Sequence, residues 1–99
     1  MFCVVRKYRL KAGEKAQVIE KAERHYVDIV SDTPGFVSFY VVNEGDTALT
    51  ISIFHTQEES DASDHKAARF VKEHLAEYVE GPFDVVRGPV VISKVAKAK

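Results

Sequence analysis

The chain has 99 residues, with 14 lysines and arginines against 15 aspartates and glutamates, so its formal net charge is −1. This length is enough for one domain with a modest core and too short for a second, so we treat residues 1–99 as a single domain. The near balance of charge gives no electrostatic reason to expect a nucleic-acid partner.

The cysteine content and the hydropathy of the chain indicate its cellular compartment. Cys3 is the one cysteine, which excludes an internal disulfide and fits a reducing compartment. No segment approaches the roughly 20 apolar residues that span a bilayer, and the apolar start is too short for a secretory signal. We therefore expect a cytoplasmic protein without a membrane partner.

The first half of the chain predicts a strand, a helix and a hairpin. Residues 2–10 are rich in β-formers and alternate between two faces, which predicts strand one. From residue 14 the apolar period becomes helical and stays so until Pro34 and Gly35, with a stripe formed by Val18, Ile19, Ala22, Tyr26, Ile29 and Val30. Residues 36–42 and 47–55 read as strands two and three around a turn at 43–46.

The second half predicts a helix and a last strand. Thr56 and Glu59 have the spacing of a capping box, which marks the start of helix two. Apolar residues recur at helical spacing as Ala67, Phe70, Val71, Leu75 and Tyr78, with His74 on the same stripe. Gly81 and Pro82 are expected to close this helix, and residues 83–95 to form strand four.

The element order β-α-β-β-α-β is the ferredoxin-like, split β-α-β arrangement of the α+β class. It places two helices on one face of a four-stranded antiparallel sheet and leaves the other face open. Strand two is apolar on both sides, so we expect a row such as Val37, Phe39 and Val41 on that open face. Monomers rarely expose such a surface, so we expect a homodimer with the sheet faces in contact.

Several segments of this chain together resemble the antibiotic biosynthesis monooxygenase family of the dimeric α+β barrel superfamily. They are residues 8–13 (YRLKAG), 34–36 (PGF), 51–59 (ISIFHTQEE), 70–75 (FVKEHL) and 87–90 (RGPV). Members commonly have a tryptophan near the end of strand three, where this chain has Phe54. The resemblance implies the fold above and a functionally mixed family of cofactor-independent oxygenases, haem-binding proteins and members without known activity.

Three functions follow as hypotheses, in this order. The first is a cofactor-independent monooxygenase of small aromatic substrates such as phenols, quinols or polyketides. The second is a haem-binding protein, because the resemblance implies an iron-binding histidine four residues after a phenylalanine, a spacing that Phe70 and His74 repeat. Against it, the asparagine and tryptophan of the haem-degrading members align with Arg6 and Asp64. The third is a non-catalytic dimer that binds a small molecule.

His74 is the first candidate for catalysis and Arg6 the second. His74 lies one turn from Phe70 and from Tyr78, where it is expected to point inward as a base or an iron ligand. Arg6 shares a face of strand one with apolar residues and could anchor a substrate oxygen. Alternatively, His74 is a core-edge histidine and Arg6 forms an ion pair. The expected substrate-binding residues are Phe54, Phe70, Tyr78 and Tyr8.

A metal site is not expected. The spacing of His55 and His65 matches no zinc motif, and the chain offers no partner cysteine for them. We expect no cofactor for the oxygenase, with haem as the alternative. The expected pocket lies between helix two and the sheet, within each subunit.

Overall fold

A four-stranded antiparallel sheet in the order β2-β3-β1-β4 carries the fold. The computed structural model describes residues 1–11, 20 and 22–96. Its strands are β1 (Phe2–Leu10), β2 (Phe36–Glu44), β3 (Thr47–Phe54) and β4 (Val79–Pro89). Helix α1 comprises a π-helical segment, Ala22–Tyr26, and an α-helical one, Val27–Ser31. Helix α2 comprises the α-helical segment Gln57–Phe70 and the π-helical segment Val71–Leu75.

The predicted ferredoxin-like fold is confirmed. Both helices pack on the same face of the sheet, because residues from each share one core with residues of β1 and β3. That core contains Tyr8, Leu10, Tyr26, Val30, Ala48, Phe54, Ala67, Phe70 and Leu75. The predicted beginning of helix one, with Val18 and Ile19, lies outside the described residues. Among the helices that the structure describes, none is long and apolar enough to cross a membrane.

The capping box at the start of α2 is confirmed. The Thr56 hydroxyl accepts a hydrogen bond from the Glu59 backbone N–H at 3.2 Å and donates one to the Glu59 carboxylate at 2.9 Å. One backbone N–H without a partner inside the helix, that of Glu59, is satisfied in this way, and the Glu59 side chain reaches back to the Thr56 hydroxyl. Gly35, which opens the turn into β2 with a φ of 84°, lies against that same carboxylate.

The boundaries of α2 and β4 differ from the prediction. Helix α2 ends at Leu75, and β4 runs from Val79 to Pro89 instead of from 83 to 95. The reason is the length of the partner strand: β4 pairs with β1 from Leu10 to Phe2, and one further backbone hydrogen bond follows, from the Val90 N–H to the Met1 carbonyl at 2.9 Å. Pro82 therefore lies within β4, which is tolerated because this strand is at the edge of the sheet.

The predicted outward row of β2 was wrong. An irregularity in the pairing between Phe36 and Ser38 shifts the alternation, so that Phe39 faces the helices and its ring centroid lies 5.3 Å from that of Tyr26. The residues that face away from the helices are Tyr40 and Val42, which are 55% and 49% exposed. Because both rows of this strand are apolar, only the bulge decides which one is buried.

The open face of the sheet is nevertheless apolar, as predicted. Register places Tyr40, Ile51, Val5 and Val86 in one row across all four strands. Beyond Pro89 the chain has no regular structure through residue 96, and it exposes Val91, Ile92 and Val95 by more than four-fifths of their surface. The sheet thus presents an apolar row on the side away from the helices, and the segment after β4 exposes further apolar side chains.

Replacing Gly35 with alanine should destabilise the fold more than replacing Gly45. Both glycines have positive φ, so alanine costs about 1–2 kcal/mol at either position. At Gly35 the new Cβ would also overlap the Glu59 carboxyl group, whereas nothing lies within 4 Å at Gly45. Displacing that carboxyl group breaks its hydrogen bond with the Thr56 hydroxyl, which should add about 0.5–1.5 kcal/mol to the cost at Gly35. Urea unfolding of the two variants measures the difference, and equal free energies of unfolding would contradict it.

Candidate functional site

Two spaces flank helix α2, one on each side. The first, which we call the sheet cavity, lies between α2 and the sheet and has a volume of about 340 Å³. Its polar lining consists of Arg6, Tyr8, Tyr26, Asp64 and Lys72. The second, which we call the helix groove, lies between α1 and α2, has a volume of about 740 Å³ and is lined by Glu20, Arg24, His25, Asp28, Ile29, Phe70, His74 and Tyr78.

Two lining residues of the sheet cavity form an ion pair. Arg6 is on the helix-facing row of β1, and its guanidinium lies 2.5 Å from the Asp64 carboxylate on α2. The two side chains are only 14% and 17% exposed. Burying two charges is costly unless they are paired, so this contact holds α2 and the central strand together while keeping charge inside the cavity.

Arg87 extends the pair into a cluster of four charges. It lies on β4, directly opposite Val4, and its guanidinium contacts the Asp61 carboxylate and lies 3.4 Å from that of Asp64. Arg87 and Asp61 are nearly half exposed, so they form the solvent side of the cluster. We call Arg6, Arg87, Asp61 and Asp64 the charge cluster; its formal charges cancel.

Two tyrosine hydroxyls complete the polar lining. Burial raises the pKa of Tyr8, although the Arg6 charge opposes the shift. Burial raises the pKa of Tyr26 further, far above its ordinary value, and the nearby Tyr8 adds to the effect. Both phenols are therefore protonated at neutral pH and can donate hydrogen bonds to an oxygen atom in the cavity. The rings of Phe39 and Phe70 hold Tyr26 in place, at centroid distances of 5.3 and 5.8 Å.

His74 does not enter the sheet cavity, and its predicted inward direction was wrong. It lies in the π-helical segment of α2, where residues five apart, rather than four, lie above one another. Leu75 therefore takes the buried position below Phe70, and the His74 side chain is 56% exposed. Its ring lies 5.0 Å from that of Phe70, on the wall of the helix groove.

The structure thus divides the predicted site residues between two places. Arg6 and Tyr8 meet in the sheet cavity, whereas Phe70, His74 and Tyr78 meet in the helix groove. Phe54 is fully buried, 5.9 Å from the ring of Phe36, and lines neither space. A cavity between α2 and the sheet is present as expected. Its polar lining residues, however, differ from the stripe of Phe70, His74 and Tyr78 on which that expectation was based.

Sequence reasoning missed Asp64 and Arg87 as members of the site. The sequence places Tyr26 on the apolar stripe of helix one, with a hydroxyl that could position an aromatic substrate, and it offers Arg87 only as part of a motif. Asp64 carried a signal, because it and Arg6 stand at the positions aligned with tryptophan and asparagine in the haem-degrading members. The structure shows these two residues as oppositely charged partners, so the two departures complement each other.

The sheet cavity combines a partly apolar wall with several hydrogen-bonding side chains. Alanine and valine side chains cover part of its wall, and a volume of about 340 Å³ is at the lower end of the usual range for ligand pockets. Arg6 and the two phenols can donate hydrogen bonds, and Asp64 is the one carboxylate among the described lining residues. Within the part of the chain that the structure describes, no cluster of three histidine, cysteine or acidic side chains could hold a metal ion.

Comparison with solved structures supports this fold. HapK from Hahella chejuensis superposes with a TM-score of 0.78 at 17% identity, over 99% of this chain and 100% of that one. A variant of MhuD with two manganese protoporphyrin IX molecules bound per active site gives 0.74 at 17%, over 97% and 100%. SnoaB, a cofactor-independent oxygenase from Streptomyces nogalater, gives 0.73 at 9%, over 93% and 94%.

At the level of sequence, no curated protein matches the chain. The sequence model of one family does match, and it covers residues 1–80. The match includes β1, both helices and the residues Arg6, Tyr8, Tyr26 and Asp64 of the sheet cavity. The chain therefore belongs to the antibiotic biosynthesis monooxygenase family.

Proposed function

We propose that this protein is a cofactor-independent monooxygenase that oxidises a small hydroxylated aromatic compound in the sheet cavity. The observation that carries the proposal is the nearly buried Arg6–Asp64 pair beside two buried phenols. Burying charges and hydroxyls lowers the free energy of unfolding, and an apolar core would be more stable. Their collection around one cavity is what a site for a polar aromatic ligand requires. The similarity to SnoaB adds a precedent for this chemistry on the same fold.

The reaction that fits these groups converts an activated methylene to a ketone. Asp64 accepts a proton from the substrate, and Arg6 with the phenols of Tyr8 and Tyr26 binds the resulting oxyanion. The anion transfers one electron to dioxygen, and the two radicals combine to a peroxide, which loses water. One oxygen atom of dioxygen thus ends in the ketone and the other in water, so the substrate supplies all the electrons.

His74 is the alternative base. It was predicted for that role from the sequence, and in the helix groove it faces Phe70 and Tyr78, on which a flat ligand could stack. Because the groove exposes His74 to solvent, it protects a reactive anion less well than the sheet cavity does. Catalysis in the sheet cavity and catalysis in the helix groove would respond differently to substitutions of Asp64, Arg6 and His74.

Oxygen consumption with a series of anthrones should distinguish the sheet cavity from the helix groove as the site of the reaction. Asp64→Asn is expected to lower kcat roughly 10²–10⁴-fold, the usual contribution of a positioned base. Arg6→Ala should mainly raise KM, since an anchor acts in ground and transition states alike. His74→Ala should retain turnover within about threefold. The reverse pattern in folded variants would place the chemistry in the helix groove, and a wild-type protein inactive on the whole series would contradict the proposed function.

A second candidate function is haem binding in the helix groove, and one specific observation favours it. The groove brings an exposed imidazole, His74, together with the apolar side chains of Ile29 and Phe70 and with the cationic Arg24. These residues fit a haem: His74 could ligate the iron, and Arg24, whose guanidinium lies 3.0 Å from the Glu20 carboxylate, could exchange that partner for a propionate. Bound there, haem would supply iron-centred redox chemistry. The similarity to MhuD, with its bound manganese protoporphyrins, supports this candidate.

Titration with haemin tests it by absorbance. If the groove binds haem, a Soret band should appear with saturation, and His74→Ala should shift or abolish it. His65→Ala is the matched control, because His65 is an exposed histidine of the same helix and lines neither space. Equal spectra for the two variants would exclude ligation by His74.

We also propose that the protein is a homodimer that buries the open face of the sheet. Tyr40, Val42 and Val86 on this face are about half to two-thirds exposed, and partly buried aliphatic residues of β1 and β3 lie between them. A patch of this kind usually marks a protein interface. The exposed Val91, Ile92 and Val95 would gain cover from the same partner.

Two adjacent valines of β2 allow a matched test of this interface. Val41 and Val42 are 45% and 49% exposed but belong to opposite faces of the sheet. Light scattering should report twice the chain mass for the wild type. Val42→Asp should weaken the dimer because it buries an unpaired carboxylate, whereas Val41→Asp should remain dimeric. A monomeric wild type would contradict the proposal, as would equal effects of the two substitutions.

A further inference from the structure

A third and smaller cavity adjoins the sheet cavity, beneath the end of α2. It has a volume of about 50 Å³, and we call it the apolar chamber. The residues that line it but not the sheet cavity come from β1, β2, β3 and the end of α2, and they are Leu10, Val41, Ala48, Thr50 and Leu75. We infer that the apolar chamber binds a short aliphatic substituent of the ligand whose ring lies in the sheet cavity. The inference rests on the proposed function and adds a feature of the substrate that the charge cluster does not determine.

The apolar chamber and the sheet cavity share a wall. The residues that line both are Tyr8, Tyr26, Val71 and Val79. On the helix-facing row of β1, Tyr8 lies between Arg6 at the polar end and Leu10 in the chamber. At about 3.3 Å per residue, Leu10 lies roughly 13 Å along the strand from Arg6. A ligand whose oxygen contacts Arg6 therefore directs the opposite end of its ring system toward the chamber.

The lining of the chamber restricts what it can hold. None of the described residues around it carries a charge, and its hydroxyl groups are those of Thr50 and the two shared tyrosines. An ionised group placed there would lose its hydration without gaining an opposite charge. An apolar group instead replaces empty space with dispersion contacts to Leu10, Ala48 and Leu75, which are all less than a tenth exposed. The chamber therefore favours an aliphatic group.

The volume of the chamber limits the length of that group. A cavity needs roughly 10–15 Å³ to hold one water molecule, so the chamber has space for about three groups of that size. A methyl, ethyl or propyl group fits, whereas a longer chain has to leave the chamber or displace its walls. Each methylene that is buried there should tighten binding about fourfold.

Binding of propyl-substituted naphthols, measured by calorimetry, tests the inference in solution. In 6-propyl-2-naphthol the substituent lies at the end of the ring system opposite the hydroxyl, and in 4-propyl-2-naphthol it lies on the side. The first compound should bind about 10- to 60-fold more tightly than 2-naphthol, because its propyl group enters the chamber. The second, with the same composition, should gain far less. A hexyl group in place of the first propyl should bring no further gain.

Two variants locate the effect in the chamber. Ala48→Leu fills the chamber from β3, so it should abolish the advantage of 6-propyl-2-naphthol while 2-naphthol itself still binds. Ala68→Leu is the matched control, because Ala68 lines the sheet cavity but not the chamber. It should change the affinity for all the naphthols alike and preserve the preference for the first propyl isomer.

Xenon-pressurised crystals test the chamber without a naphthol, because xenon enters closed apolar cavities. The wild type should bind a xenon atom among Leu10, Ala48 and Leu75, and Ala48→Leu should bind none there. If Ala48→Leu fails to fold, the xenon site of the wild type and the comparison of the two propyl isomers still decide the matter.

Three results would overturn the inference. They are a wild-type chamber without xenon, equal affinities of the two propyl isomers, and an undiminished preference in folded Ala48→Leu. If xenon occupies the chamber but no naphthol binds, the proposed ligand of the sheet cavity is contradicted and the inference falls with it. If 2-naphthol binds and 6-propyl-2-naphthol has no advantage, the inference alone fails. The two failures are therefore distinguishable.

Discussion

The ion pair between Arg6 and Asp64 is the contact on which the candidate site depends. It joins the central strand of the sheet to the middle of α2, and both partners are largely shielded from water. Removing one partner of such a pair typically costs about 3–5 kcal/mol, because the other charge remains buried alone. The same contact keeps a cation and a carboxylate inside a cavity, where their effect on a ligand is greater than in solvent.

The geometry around this pair follows from the order of the strands. Because β1 is central, its helix-facing row lies under α2, and Arg6 and Tyr8 are on that row. The neighbouring strand β4 brings Arg87 to the same end of the helix.

Much of the fold could be predicted from sequence, since period and turn residues identify three strands and the start of α2. The features that could not be predicted depend on how strands and side chains pair in the folded chain. The bulge in β2 buries Phe39 rather than its neighbours, and both rows of that strand are equally apolar. The end of β4 is determined by the length of β1. The direction of His74 depends on a π-helical turn, for which the residues from Val71 to Leu75 show no distinctive pattern. Asp64 and Arg87 could not be singled out for the same reason, because their charges become meaningful only as partners of Arg6.

A crystal structure of the protein with an anthraquinone product bound would show directly whether the sheet cavity is the active site. We expect the rings between α2 and the sheet, with one quinone oxygen within hydrogen-bond distance of the Arg6 guanidinium and a tyrosine hydroxyl. A product bound instead in the helix groove, stacked on Phe70 against His74 and with the Arg6–Asp64 pair undisturbed, would contradict it.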